Sequence, residues 1–165
     1  LGADILGIDA SEKNVKTATA HGAKTGAPAR YQHITAEDLR DTGAQFDVIV
    51  NMEVIEHVAD VDAYLSTCYD LLKPGGLMLL STLNRTAKSF AFAIVGAEYI
   101  LRWLPVGAHD WNKFITPSEL KDHSKAAGFQ ADDATGFVYN PLSGRWSLSS
   151  SDFGVNYALA VTKPS

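Results

Sequence analysis

Residues 46–84 read FDVIVNMEVIEHVADVDAYLSTCYDLLKPGGLMLLSTLN, and the fold turns on how this stretch divides. "FDVIVNM" is a short apolar run rich in β-branched residues, and its continuous apolar character fits a strand in the buried middle of a parallel sheet. "DVDAYLSTCYDLL" places Val61, Tyr64, Leu65, Cys68, Leu71 and Leu72 at i, i+3, i+4 spacing, the period of a helix with one apolar face, and "KPGG" ends it. "LMLLSTLN" supplies the next buried strand. A strand, a helix and a second strand with so short a connection form a βαβ unit, which places ligands at the carboxyl ends of the strands.

The same alternation continues on both sides. Upstream, "DILGIDAS" is a strand closed by Asp9, "EKNVKTATAHGAKTG" a helix with a glycine stop, "ARYQHIT" a second strand and "AEDLRDTGAQ" a polar connection. Downstream, "TPSELKDHSKAAGF" predicts a helix with Thr116 as N-cap, Pro117 at N1, Glu119 at N3 and Gly128 at the stop. "DATGFVYNP" and "VNYALAVTK" alternate enough to pair as a hairpin-like finish. The fold class is therefore α/β, a Rossmann-like, mostly parallel sheet wrapped by helices with a C-terminal antiparallel strand pair, in one domain over 1–165 with a helical insertion at about 85–113.

Composition narrows the function classes. At 165 residues, 46% hydrophobic and 20% charged, the chain has the balance of one globular domain with a real core. Fourteen basic against nineteen acidic residues leave a charge of -5, no basic field for phosphates, and nucleic acid is excluded as a partner. The single cysteine, Cys68, has no partner for an internal disulfide and reads as a small buried apolar side chain in a reducing compartment. No apolar run reaches the ~18 residues of a membrane span. A cytoplasmic chain, peripheral on the inner face of the membrane, is expected.

Two places carry chemistry. Asp9, at the end of its strand, suits hydrogen bonds from ribose hydroxyls, while "DAS" equally suits a helix N-cap. If "EVIEHVAD" begins a helical turn, Glu53, Glu56 and His57 fall at i, i+3 and i+4 on one face, two hard oxygens and one imidazole for a divalent cation. The same spacing also serves solvated first-turn acids with a packed histidine, and His57 alone suits a general base.

Taken in order, Asp9, "AEDL", "FDVIVNMEVIEHV" and "LLKPGG" resemble the class I S-adenosylmethionine-dependent methyltransferases. The resemblance implies Asp9 and Ala10 at the ribose edge, Ala36 and Glu37 near adenine, and Met52 beside the cofactor; the acid common at the adenine contact falls here at Thr35. The family's Gly-rich turn is absent from the sequence, which opens in "LGADILGIDAS", so the chain is expected to enter the fold one strand and one helix late.

"LSTLNRTAKSFAFAIVGAEYILRWLPVGAHDWNKFITPSEL", together with "MEVIEHV" and "GFVYNPLSGRWSLSSSDFGVNYALAVTK", is similar to the ubiquinone-biosynthesis O-methyltransferases over essentially the whole chain. That likeness implies methylation of a catechol-type hydroxyl on polyprenylated rings (3-demethylubiquinol and 2-polyprenyl-6-hydroxyphenol), with S-adenosylmethionine as methyl donor. It also implies Mg2+ or another divalent cation at Glu53, Glu56 and His57; either that cation acidifies the hydroxyl or His57, as catalytic base, takes its proton, and contact with a ubiquinone-biosynthesis complex is expected. Residues 85–113 are rich in apolar side chains, among them Phe90, Tyr99, Ile100 and Trp103, with Arg85, Lys88, Arg102 and Lys113 set against Glu98 and Asp110. Such a segment suits a helix in the bilayer interface with Trp103 at headgroup level, or a lid over the substrate that His109 helps close. The rivals are another small-molecule methyltransferase, a nicotinamide-dependent dehydrogenase, whose site needs G-x-G-x-x-G ahead of a helix, and an inactive membrane-binding module.

Overall fold

Asp9 closes the first strand and Ser11 starts the first helix, its hydroxyl accepting from the Asn14 N–H. In the computed structural model, which describes residues 2–91, 110–140 and 143–165, the chain forms two compact units, Leu1–Gln45 and Phe46–Ser165. The first holds β1 (Ile5–Asp9), α1 (Glu12–Thr25), β2 (Ala29–His33) and α2 (Ala36–Asp41). β1 and β2 are parallel, from Ile5 opposite Ala29 to Asp9 opposite His33. The Tyr31 ring lies so close to Gly7 and Gly22 that a Cβ would meet it at 2.8 and 3.1 Å, so these two glycines let helix and strand close on one aromatic side chain. Gly26, at φ 70°, ends α1 in the left-handed conformation that glycine adopts without penalty.

The segment expected as a polar connection is instead α2. Thr35 caps it by accepting from the Asp38 N–H at 3.1 Å, and Ala36 and Leu39, three apart, bury one side.

The second unit contains β3 (Phe46–Met52), a 3-10 turn (Ile55–His57), α3 (Val61–Leu71), β4 (Leu72–Leu83), α4 (Ala87–Ser89), a 3-10 turn (Trp111–Lys113), α5 (Pro117–Ala126), β5 (Gln130–Ala131), β6 (Thr135–Asn140), β7 (Arg145–Ser149) and β8 (Asn156–Thr162). Its sheet runs β3-β4-β8-β6-β7, with β5 also on β8; β3 and β4 are parallel and the remaining pairs antiparallel. "KPGG" lies within β4, and the register breaks between Phe46 and Val48 where those residues loop out. The finish is not a simple hairpin. β6 pairs with β8 over only three positions, from Thr135 to Phe137, and β7 intervenes in sequence as an additional edge strand.

The core lies on the face of the sheet covered by α3 and α5. Leu65, Cys68, Met78, Leu80, Leu120, Tyr157, Leu159 and Val161 are buried there, and the Asn51 side-chain amide donates to the Tyr64 hydroxyl of α3 at 2.8 Å. β3 was expected in the buried middle of a parallel sheet. It is instead the end strand of this unit, and Val48, Val50 and Met52 on its other face are 52, 64 and 47% exposed. α5 begins as expected: Thr116 and Glu119 form a reciprocal capping box, with Pro117 in the first turn. Most of the expected insertion, 92–109, including Trp103 and His109, lies outside the described residues. The residues flanking it meet: the Trp111 indole N–H donates to the Thr86 carbonyl at 3.3 Å, and its ring stands edge-on to Phe90 with centroids 6.4 Å apart. Among the described residues, no helix is long and apolar enough to cross a membrane.

Among the described glycines, Gly136 of β6 has the least room. A Cβ there would lie 1.8 Å from the Asp152 carbonyl oxygen, a backbone atom that moves only with its loop. Gly136→Ala is expected to cost about 3 kcal/mol, the upper end for overpacking, read as a lowered urea midpoint at constant m-value.

Candidate active site

In the first unit, Asp9 and Ala10 stand at the carboxyl end of β1, and Ala36 and Glu37 follow the carboxyl end of its parallel neighbour β2. These four expected cofactor residues therefore share one end of the strand pair. Asp9 accepts from the Ser11 N–H at 2.7 Å and from the Asn14 side-chain amide at 3.1 Å, so it stabilises the turn into α1 as a capping group. Asp9 and Asn14 also line a cavity of about 530 Å³ between β1 and α1, with Gly7, Thr17, His21 and Tyr31. The Ala10 carbonyl lies 3.0 Å from His33 Nε2, tying the two strand ends together. Ala36 is buried and offers only backbone, whereas Glu37 is exposed.

The second unit brings Glu53 and Glu56 together by a route the helical spacing did not foresee. Glu53 is not helical: it is the one non-glycine residue with positive φ among the described residues, at 54°. Such a conformation costs on the order of 1 kcal/mol and persists where neighbours enforce it. Here the Glu53 N–H donates to the Ser81 carbonyl at 3.0 Å, and the Ser81 hydroxyl donates to Glu53 Oε1 at 2.9 Å. The chain then enters the turn Ile55–His57, which buries Glu56 to 3% exposure and leaves His57 exposed. Glu56 Oε2 accepts from the Thr82 hydroxyl at 2.8 Å, while Oε1 is buried and has no hydrogen-bond partner. Glu53 and Glu56 thus interact at the end of β3, and His57 stands exposed in the same turn. Among the described residues no three histidine, cysteine, aspartate or glutamate side chains group to hold an ion.

Enclosure, then the negative charge of Glu56, push the Glu53 carboxyl up from 4.5 to about 7, against the Ser81 hydrogen bond that favours its charged form. Glu53 is exposed as a whole residue, so solvent tempers the rise, but the direction follows from two carboxyls sharing one place. A raised acid keeps its proton to higher pH in the folded chain than in the unfolded one. Its contribution to stability is full below 4.5 and is lost as pH rises from 4.5 to about 7. Glu53→Gln is expected to remove that decline, seen as a wild-type minus variant difference in urea midpoint that grows across this window.

Glu56 also lines a cavity of about 250 Å³ with Arg85, Lys113, Phe114, Glu119 and His123. Arg85 pairs with Glu119, whose carboxyl the Thr116 N–H, ahead of Arg85, holds below the usual range. The fully buried Tyr157 donates to the Ile115 carbonyl at 2.9 Å; enclosure, then the charges of Glu119, Glu56 and Glu53, push its phenol far up. Tyr157 is therefore a neutral donor and not a base. Ser81, Thr82 and Tyr157 are site residues that spacing missed; the hydroxyl pair in "LLSTLN", at the end of a buried strand, was the signal for the first two.

Parallel strands with acids at their carboxyl ends, a helix between β3 and β4 and antiparallel strands at the finish define a class of α/β fold. The chain belongs to the methyltransferase domain family, whose model matches residues 1–134. More particularly, it is 56% identical over 164 residues to a ubiquinone biosynthesis O-methyltransferase of Cereibacter sphaeroides and 57% identical over 164 residues to that of Dinoroseobacter shibae. Each match covers 99% of this chain and 66% of the relative, so the chain spans just under two thirds of the length of these curated relatives. Among solved structures, a SAM-dependent methyltransferase from Thermotoga maritima superposes with a TM-score of 0.67 at 21% identity, covering 96% of this chain and 72% of that one. The magnesium protoporphyrin IX methyltransferase of Synechocystis with bound SAH gives 0.64 at 16% identity, covering 98% of this chain and 64% of that one. These two likenesses establish the fold, and family membership decides between a methyltransferase and a nicotinamide-dependent dehydrogenase.

Proposed function

We propose that this chain belongs to an enzyme that transfers a methyl group from S-adenosylmethionine to a catechol-type hydroxyl of a polyprenylated ring in ubiquinone biosynthesis. The observation that carries this reading is the identity above 50% across 99% of the chain to relatives named for that activity. Asp9 and Ala10 meet the ribose, Ala36 and Glu37 lie near adenine, and Met52, half-exposed at the end of β3, flanks the methionine portion. Asp9→Ala is expected to weaken S-adenosylhomocysteine binding by about tenfold, the weight of one charge-assisted hydrogen bond, as measured by calorimetry.

The carboxyl pair fits a magnesium ion, which is commonly held by one or two carboxylates with water and substrate oxygens completing the shell. The buried, unpartnered Oε1 of Glu56 is the feature that asks for such a charge. When bound, the sulfonium supplies an electrophilic methyl and the cation supplies positive charge at the catechol oxygens. A phenol with a pKa of ~10 is a poor nucleophile, and two routes lower that barrier: Glu53 and Glu56 hold the charge that acidifies it, and exposed His57 accepts its proton. The Thr82 hydroxyl holds one oxygen of the buried Glu56 carboxyl. By composition, residues 85–113 supply the apolar and cationic side chains for contact with the membrane that carries the substrate's tail, and a ubiquinone-biosynthesis complex is the setting in which the enzyme works.

Labelled-methyl transfer to a short-chain polyprenyl catechol, with Mg2+ and with chelator, tests the reading. Transfer abolished by chelator and restored by Mg2+ is expected. Transfer insensitive to chelator would remove the cation and leave His57 as base, and no transfer despite cofactor binding would overturn the acceptor.

A further inference from the structure

β4 ends in two adjacent hydroxyl residues, Ser81 and Thr82, which are 1 and 0% exposed. Neighbours on a strand point to opposite faces, yet both reach carboxyl groups of the one connection that follows β3. They do so because Glu53 turns back at φ 54° and is held on the Ser81 backbone, while the 3-10 turn brings Glu56 to the Thr82 side. Each hydroxyl donates its single proton to one carboxyl oxygen, at 2.9 and 2.8 Å, and burial keeps water from replacing either donor. Every buried acceptor needs such a donor or loses about 1–3 kcal/mol. The carboxyl orientation is thus set from the strand and not from the turn that carries the acids.

We propose that Ser81 and Thr82 are positioning residues for the Glu53–Glu56 pair, fixing one oxygen of each carboxyl so that the other is left for a single hard cation. This rests on the reading of the pair as a cation site. It assigns Thr82 the larger effect, because Glu56 is the more deeply buried of the two acids and its other oxygen has no partner to hold it. Outer partners that orient first ligands commonly carry 10–100-fold in metal affinity, and the same is expected here.

The test is Mn2+ titration of the wild type, Thr82→Val, Thr82→Ser, Ser81→Ala and Glu56→Gln, followed by the paramagnetic signal of free Mn2+, with the thermal midpoint of each taken in parallel. Thr82→Val keeps the shape and removes the donor, so Mn2+ affinity should fall about 10–100-fold, and Thr82→Ser should restore it. If Thr82→Val lowers the thermal midpoint but binds Mn2+ as the wild type does, the hydroxyl only pins the connection and the proposal fails. If Thr82→Val does not fold, Ser81→Ala decides by the same criterion. Wild type and Glu56→Gln alike in taking no Mn2+ would overturn the cation site and this inference with it; wild type binding with every hydroxyl variant unchanged would overturn this inference alone.

Discussion

Glu56→Gln is expected to lower methyl transfer by at least about 100-fold while leaving the chain as stable as before or more so, with no rescue by raised Mg2+. The substitution is isosteric, and the amide oxygen still accepts from the Thr82 hydroxyl that now holds Oε2 at 2.8 Å. What it removes is one negative charge beside Glu53. That charge is the second cause, after enclosure, of the Glu53 carboxyl's rise to about 7. In the variant Glu53 should titrate lower, and the stability lost between pH 4.5 and about 7 should shrink. A purely structural Glu56 predicts the opposite: a buried group that loses its role should destabilise the fold, typically by 1–3 kcal/mol, and leave turnover of the surviving folded fraction near normal. Measuring turnover and urea midpoint on the same preparation separates the two, and unchanged turnover with a lowered midpoint would sink the catalytic assignment.

Much of this fold could be read because the signals were local. α1, α3 and α5 each present a cap and an apolar period within their own residues, and Thr116, Pro117 and Glu119 sit where the capping pattern puts them. α2 was missed because only Ala36 and Leu39 face inward, too few to show a period in six residues. β7 was missed because it is an edge strand whose residues Arg145 to Leu148 are all exposed, so no inside-outside alternation marks "RWSLS". At the site, the acids were found and their arrangement was not. The φ of Glu53 has no local sequence signal, and its cause lies in Ser81, 28 residues away in the chain. Thr82 acts on Glu56 across 26 residues. Spacing within one turn could suggest a ligand set; only the pairing of β3 with β4 decides which members meet.

That pairing also yields the largest stability contrast. Leu80 and Val50 lie on paired strands, Leu80 opposite Asn51 and Val50 opposite Leu79, yet Leu80 is 0% exposed and Val50 is 64% exposed. Leu80 points to the face closed by α3 and α5, among Leu65, Met78, Leu120 and Leu159. Leu80→Ala removes apolar volume from a place where β4, held between β3 and β8, cannot collapse to fill it, so a cost of about 3–5 kcal/mol is expected. Val50→Ala removes side chain that is already largely in water and should change the midpoint by no more than about 0.5 kcal/mol. Two aliphatic truncations one register position apart would then differ several-fold, a difference that neither hydrophobicity nor strand propensity produces. Equal and large losses at both positions would mean that the Val50 face is covered in solution, and β3 would then be the interior strand that its apolar sequence first suggests.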